Sequence, residues 1–533
     1  TIDNTFELDS RDAGFNGHYV VYKAEDAKEV AISGGQSISA WSEQNGLFVA
    51  NTGDLNFRQL YVNGQRATRA RTPNKGEVYQ TKIWDLANQT LLISANYIER
   101  WNNFSDVEMA MKMWWTDAYL RLKDFSVPQD SLPFAWLPRY AAVTFQEPEQ
   151  SLAFKRLFPP KINDIAFHFE NAMEFLDQPG EWYLNNATHK LYYKPREGET
   201  LSKLTAIAPR VETLLKVEGT LAQPVHHVKF QGIRFCHATW LRPSETGHLV
   251  CQAGQYVVAP THLNYQYVGR PASAVLVKAA NNIVFEQNVF EQLGATAIDM
   301  HYGASDNVIN GNLIKDIAGN GIAVGKINDP DHEIHIPWNP ADKREISRHN
   351  IISNNYITRV GCDYFGAIGI VAGYTDSVII EHNEIWDCPY TGISVGWGWT
   401  AENTPLKDNK IRYNHIHHVL QELCDGAGIY ILSRQPGTHV YQNYIHDIKL
   451  APTALGTINS GIYLDEYSDG ITVEMNWMEK IMNDPIFNIK TNTTLHITLI
   501  KNELWADRFY EDNQMVINNA GPVTQFQAIK SKL

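Results

Sequence analysis

Between Asn282 and Trp505 the chain repeats one pattern: a short apolar run, an Asn, another apolar residue, a loop, then Gly-Ile. It reads Ile283-Val284-Phe285-Glu286-Gln287-Asn288-Val289-Phe290, then Val308-Ile309-Asn310-Gly311-Asn312-Leu313-Ile314. It returns as Val378-Ile379-Ile380-Glu381-His382-Asn383-Glu384-Ile385 and as Val440-Tyr441-Gln442-Asn443-Tyr444-Ile445. The recurring residues are Asn288, Asn312, Asn355, Asn383, Asn414, Asn443, Asn476 and Asn502. Most steps are 24 to 33 residues, with one long step from Asn312 to Asn355. Periods of this size mark solenoids and arrays. The runs are short, rich in Val, Ile, Phe and Tyr, and alternate with a period near two, which is strand chemistry. A helical solenoid needs long stripes at period 3.6, and this region has none. The pattern predicts an all-β chain built as a parallel β-helix, with coils stacked about 4.8 Å apart. Asn tolerates the left-handed backbone of a turn and can bond its own backbone. The Asn column is therefore read as scaffold, with stacked side chains bonding one another.

A second column is Gly321-Ile322, Gly369-Ile370, Gly392-Ile393, Gly428-Ile429 and Gly461-Ile462. With Ile pointing inward, alternation places Ser394, Gly396, Tyr430, Leu432, Tyr463 and Asp465 outward. Side chains from successive coils then build one face, suited to a long substrate.

Residues 1–90 carry strand patterns, such as Leu60-Tyr61-Val62-Asn63-Gly64 with its Asn-Gly turn, and are read as an N-terminal β segment with the first coils. Residues 91–205 lack the Asn period and hold Trp101, Trp114, Trp115 and Trp136, and are read as an inserted β-rich, sandwich-like module. Residues 206–533 are read as the β-helix with a C-terminal cap. The step between Asn312 and Asn355 contains a polar, Pro-rich excursion from Lys326 to Arg344, including Asp329-Pro330-Asp331 and Trp338. Loops on one face of a solenoid are where binding residues gather. The net charge of −14 argues against nucleic acid and strongly acidic polysaccharides as partners. No apolar stretch is long enough to span a membrane. The five Cys include no CxxC pair, so no zinc signature appears. Cys362, Cys388 and Cys424 fall in successive coils and are expected to stack inside. The first residues, Thr1-Ile2-Asp3, lack Met, and a processed, secreted or periplasmic protein is the expectation. Oligomeric state is not readable.

Glycoside hydrolysis needs two carboxyl groups, one protonated and one ionised. The richest acidic strings are Cys424-Asp425-Gly426-Ala427-Gly428-Ile429-Tyr430 and Gly461-Ile462-Tyr463-Leu464-Asp465-Glu466, on neighbouring coils. Asp465 is favoured over Glu466 by parity with outward Tyr463. The alternative is that Asp425 serves a turn and Asp465-Glu466 end a strand in solvent. A straight strand would hold Asp425 and Asp465 far apart, so the coil must bend or each has another partner. Asp299, Asp363 and Asp376 stand in reserve. Val395-Gly396-Trp397-Gly398-Trp399 reads either as an uncrowded aromatic platform for a sugar or as packing under a loop. Trp397, Trp399, Tyr430, Tyr463, Lys326 and Trp338 are the expected substrate-binding residues. His415, His417 and His418 lack a carboxylate at ligand spacing, so no metal site is expected there; no cofactor is expected, though calcium in a structural role is allowed.

Phe57-Arg58-Gln59-Leu60-Tyr61-Val62-Asn63-Gly64 and Pro179-Gly180-Glu181-Trp182-Tyr183-Leu184 resemble signatures of secreted right-handed β-helix glycoside hydrolases. So do Ile393-Ser394-Val395-Gly396-Trp397-Gly398-Trp399 and Gly461-Ile462-Tyr463-Leu464-Asp465-Glu466. The resemblance is to glycoside hydrolase family 141, more distantly to family 120, and covers nearly the whole chain. It implies hydrolysis of a polysaccharide or its side chains, with α-L-fucosidase or xylanase-type activity, and places the acidic pair at Asp425 and Asp465-Glu466. Two other functions use the same scaffold. A polysaccharide lyase would take Lys326 or Arg434 as base and hold calcium at Asp363 and Asp376. A non-catalytic carbohydrate-binding protein would need neither.

Overall fold

The computed structural model describes all residues except 26–28, 128–138, 157, 261–265, 328–331, 490–495, 501 and 503–509. Trp136, Asp329-Pro330-Asp331 and Trp505 of the sequence reading lie outside the described residues. Three long parallel sheets run side by side, with strands following one another in chain order as a solenoid requires. The first begins at Phe6–Leu8 and Leu215–Glu218 and ends with Ile393–Val395, Gly426–Ile431, Asn459–Leu464 and Ile486–Asn488. The second runs from Val20–Lys23 to Ile497–Ile500, and the third from Ala31–Ser33 to Trp477–Ile481. This is the expected parallel β-helix.

Its interior is built from like residues stacked on like. Ile322, Ile370, Ile393, Ile429 and Ile462 follow one another in register down the first sheet, all fully buried. Tyr22, Phe230 and Phe285 stack at 5.1 Å in the second sheet, and Phe235 lies on Phe290 at 4.9 Å in the third. The glycine preceding each Ile lets the coils close up: a Cβ on Gly369 would stand 2.6 Å from the Gly392 carbonyl oxygen.

The Asn residues form a continuous buried ladder. Each side-chain amide donates to the Oδ1 of the next rung, from Asn288 through Asn312, Asn355, Asn383, Asn414, Asn443 and Asn476 to Asn502, at 2.8–3.1 Å. The same Oδ1 atoms accept the backbone N–H of the preceding rung. One detail differs from expectation. The left-handed backbone falls on the residue before the Asn, as at Gln287, Asn354, His382, Tyr413 and Gln442, rather than on the Asn. The turn residue takes the strained conformation, which frees the Asn side chain to span coils.

The insertion begins earlier than the residue-90 boundary suggests. The helix completes one coil by Ser33. Then Gly35–Ile38 leaves it to pair antiparallel with Ala206–Pro209. An eight-stranded sheet and a second, larger sheet follow before the helix resumes at Leu215–Glu218, parallel to Phe6–Leu8. Tyr79–Asp85 pairs with Thr90–Ser94 across the expected boundary. Strand patterns alone do not tell antiparallel pairing from a coil, so local sequence does not mark where the chain leaves the helix. A later excursion, His248–Gln252, Gln255–Pro260 and Gln266–Gly269, joins the larger inserted sheet.

The insertion is fixed to the helix by polar seams. Arg66 bonds Asp316 at 2.6 Å and Asp363 at 3.1 Å. Asp117 accepts the backbone N–H groups of Phe365 and Gly366, each at 3.1 Å. The cysteines are not all inside as expected: Cys388 and Cys424 are buried, Cys362 is exposed, and none is in a disulfide.

Candidate active site

Two neighbouring strands of the first sheet are longer than the three that directly precede them. Gly426–Ile431 and Asn459–Leu464 have six residues each, against three in Ile393–Val395. Asp425 immediately precedes the first and Asp465 immediately follows the second. Register puts Tyr430 beside Tyr463. The backbone resolves the separation that a straight strand would impose. Asp425 adopts a left-handed φ of 59° at the corner, its N–H bonded to the Ile458 carbonyl at 2.7 Å. The long tyrosine side chains cross the remaining gap.

Asp465 is 8% exposed and surrounded by donors. Tyr430 donates its hydroxyl proton to Asp465 Oδ2. Trp399 donates its indole N–H to the same oxygen at 3.2 Å. The Tyr463 hydroxyl and the Glu466 N–H also favour the anion. Burial outweighs them and raises the Asp465 pKa above the usual carboxylate range. Asp425 is less exposed to such donors. Burial first, and the negative charge of Asp465 second, push its pKa up to about 7, with the Tyr463 hydroxyl pulling the other way. Two carboxyl groups that feel each other in a dry pocket hold one proton between them over a wide pH range. Asp465 has the more donors to its anion, and Asp425 is the carboxyl pushed up to about 7.

Tyr390 reaches Asp425 from the preceding coil, its hydroxyl donating to the Asp425 backbone carbonyl at 2.8 Å. His335, on the excursion after Lys326, lies 5.9 Å from the Trp399 ring and is held by Glu333 at 2.9 Å. Neither Tyr390 nor His335 follows from its local sequence. Tyr390 has no repeat partner among the outward positions, and His335 depends on how a loop folds back. Glu466 is exposed next to Asp465, and its backbone carbonyl accepts from Ser433 N–H at 3.0 Å.

The Trp string divides. Trp397 is 1% exposed and packs against Trp399 at 5.3 Å, so it supports its neighbour and presents no face to a sugar. Trp399 is half-buried and reaches Asp465. The flanking glycines do not keep the rings uncrowded; they permit close approach. A Cβ on Gly396 would lie 2.2 Å from the Leu432 carbonyl oxygen, and one on Gly398 2.1 Å from the Tyr374 hydroxyl. Trp338 is buried, 5.6 Å from Tyr374. Lys326 lies over the Tyr302 ring at 5.9 Å. Tyr430 and Tyr463 are at the pocket but nearly wholly buried, so they act on the carboxylates rather than as sugar platforms.

The reserve acids are scattered and each faces a cation. Asp299 is buried against Arg270. Asp363 pairs with Arg66 at 3.1 Å, and Asp376 faces Lys407 at 3.6 Å. Arg434 is engaged by Asp469 at 3.4 Å. The calcium-and-base arrangement of a lyase is therefore not assembled from these residues.

Residues 45–196 match the family model of the GH141 insertion domain, and residues 339–478 that of the right-handed beta helix region. No curated protein matches the chain. Among solved structures, a glycoside hydrolase superposes with a TM-score of 0.90 at 34% identity, over 99% of this chain and 90% of that one. The complex of XylC with xylose gives a TM-score of 0.43 at 9% identity, over 91% and 77%. The GH136 lacto-N-biosidase from Eubacterium ramulus gives 0.30 at 14%, over 55% and 61%.

Proposed function

The chain belongs to the right-handed β-helix glycoside hydrolases of family 141, and from that premise we propose that it cleaves glycosidic bonds in a polysaccharide or its side chains with Asp425 and Asp465 as the acidic pair. The carrying observation is the asymmetry of their surroundings: Asp465 accepts from Tyr430 and Trp399, whereas Asp425 is raised to about 7. An acid with a pKa near the working pH donates its proton most effectively. Asp425 protonates the leaving glycosidic oxygen, and Asp465, ionised, attacks the anomeric carbon or activates water. Trp399 is the aromatic face available to a sugar ring, and it also orients Asp465. Glu466, exposed beside the pair, contacts substrate rather than taking the central role.

Asp425→Asn and Asp465→Asn, checked for folding by circular dichroism, should each lose about three orders of magnitude or more in kcat on a substrate found by glycan screening. Full activity in either variant overturns the assignment. Product stereochemistry by NMR then tells whether Asp465 is nucleophile or base. An unsaturated, ultraviolet-absorbing product would replace hydrolysis with elimination.

A further inference from the structure

The outer face of the third sheet carries a cluster that hydrolysis does not use. Strands Glu384–Trp386, His415–His417 and Tyr444–Ile448 are adjacent and in register, with Glu384 opposite His415 and His446 opposite His417. Alternation turns Ile385, Ile416 and Ile445 into the core and Glu384, His415, His417 and His446 outward. One ligand atom from each of Glu384, His415 and His417 falls within 4.8 Å of the others. His417 Nε2 is 3.6 Å from Glu384 Oε1. His415 Nε2 faces His446 Nε2 at 2.8 Å. His446 donates its Nδ1 proton to Asp447 at 2.7 Å, which leaves its Nε2 with a lone pair aimed at the cluster. The carboxylate absent from the local His spacing thus arrives from the neighbouring coil.

We propose that Glu384, His415 and His417, with His446 beside them, form a site for one divalent transition-metal ion of the zinc type. Imidazole nitrogens with one carboxylate suit zinc, copper or nickel rather than magnesium or calcium. Tetrahedral zinc places its donor atoms about 3.3 Å apart. The 3.6 Å pair already meets this, and the 2.8 Å pair opens by about half an ångström once His415 moves its proton from Nε2 to Nδ1. Lys530, from the C-terminal segment Thr524–Lys532, is the resident counter-cation. Its ammonium contacts both Glu384 oxygens at 2.8 Å, above the Tyr356 and Trp386 rings. A metal displaces it from Glu384.

The test is calorimetric titration of the full chain with zinc chloride, with magnesium chloride as control. One saturable zinc site per chain is expected, absent for magnesium. It should be lost in His415→Ala and His417→Ala and kept in His382→Ala, a histidine bonded elsewhere, to the Gly521 carbonyl. If His415→Ala fails to fold, His417→Gln gives the same reading with a smaller change at the sheet surface. Lys530→Gln should bind zinc about two- to fivefold more tightly, the size of a partly exposed ion pair. Absence of saturable zinc binding in both the wild type and Lys530→Gln overturns the proposal. So does zinc binding that survives both histidine substitutions.

Discussion

Tyr430 and Tyr463 stand side by side on neighbouring coils, yet their hydroxyls divide between two carboxylates: Tyr430 donates to Asp465, whereas Tyr463 reaches Asp425 as well. Their rings meet edge to face, 5.0 Å between centroids at 77°. That crossing sends the two hydroxyls in different directions from equivalent backbone positions. It is how acids at opposite ends of two strands come to share one pocket.

Tyr430→Phe removes a donor from the Asp465 anion without removing the ring. A hydrogen bond to a charged group is worth about 1.5–3 kcal/mol, so kcat should fall by about ten- to a hundredfold. Losing a donor to the anion raises the pKa of Asp465 further, so the acid limb of the pH–kcat/KM profile should move to higher pH. Tyr463→Phe should move the alkaline limb up as well, because Asp425 then also loses a donor. Profiles of the two variants check this; a Tyr430→Phe profile identical to wild type would separate Tyr430 from catalysis.

Asp425 gives a stability prediction of definite sign. Its folded pKa of about 7 lies above the unfolded value of about 3.9. The folded state binds the proton more tightly, so its contribution is fully present below about pH 4 and is lost as pH rises towards 7. Asp425→Asn imitates the neutral acid at every pH. It should melt above the wild type at pH 8, by up to about 4 kcal/mol of stability, and level with it at pH 4. Thermal unfolding at the two pH values is the measurement. An inactive enzyme that is more stable only at high pH would mark Asp425 as a strained functional acid.

The Asn ladder makes a positional prediction. Asn414 donates to the Ile380 carbonyl at 2.9 Å and to Asn443 at 3.0 Å, while its Oδ1 accepts from both nitrogens of Asn383. Asn414→Ala strands buried groups on three coils and should cost about 3 kcal/mol or more. Asn502→Ala, at the end of the ladder where the residue is half-buried, should cost clearly less. Denaturant midpoints of the two variants compare them directly.

What could be read from the sequence was whatever repeats. Inward Ile and buried Asn recur because each coil solves the same packing problem, so the columns announce the β-helix and sort Tyr430 and Tyr463 onto one face. The reading weakened where the repeat stops. Trp397 and Trp399 are two residues apart, yet one is buried and one reaches Asp465, because Gly396 and Gly398 turn the chain with φ of 119° and 98° and end the alternation. Tyr390 and His335 enter the pocket from another coil and another loop, and Glu384 joins His415 only through interstrand register. Such partners are set by stacking, which local spacing does not encode. The departure from the helix at Gly35 is not legible for the same reason, since its strands look like those of a coil until their partners are known.

Gly398 ties this turn to catalysis and supports the last prediction. It holds φ of 98°, a backbone that side chains disfavour, and a Cβ there would stand 2.1 Å from the hydroxyl of Tyr374, which is fully buried. Tyr374 has no room to retreat, because its ring packs against Trp338 at 5.6 Å. Gly398→Ala must therefore move the turn itself, and Trp399 is the next residue. The 3.2 Å bond from Trp399 to Asp465 is the contact most exposed to that shift. Activity should fall by about tenfold or more, the worth of one donor to an anion, with a loss of near-ultraviolet circular dichroism from the paired indoles. Trp399→Phe, which leaves both turn glycines in place but loses the indole N–H along with part of the ring, should reproduce the kinetic loss without a change in the turn. If Gly398→Ala lost activity while Trp399→Phe kept it, the turn would act on the pocket by a route other than Asp465.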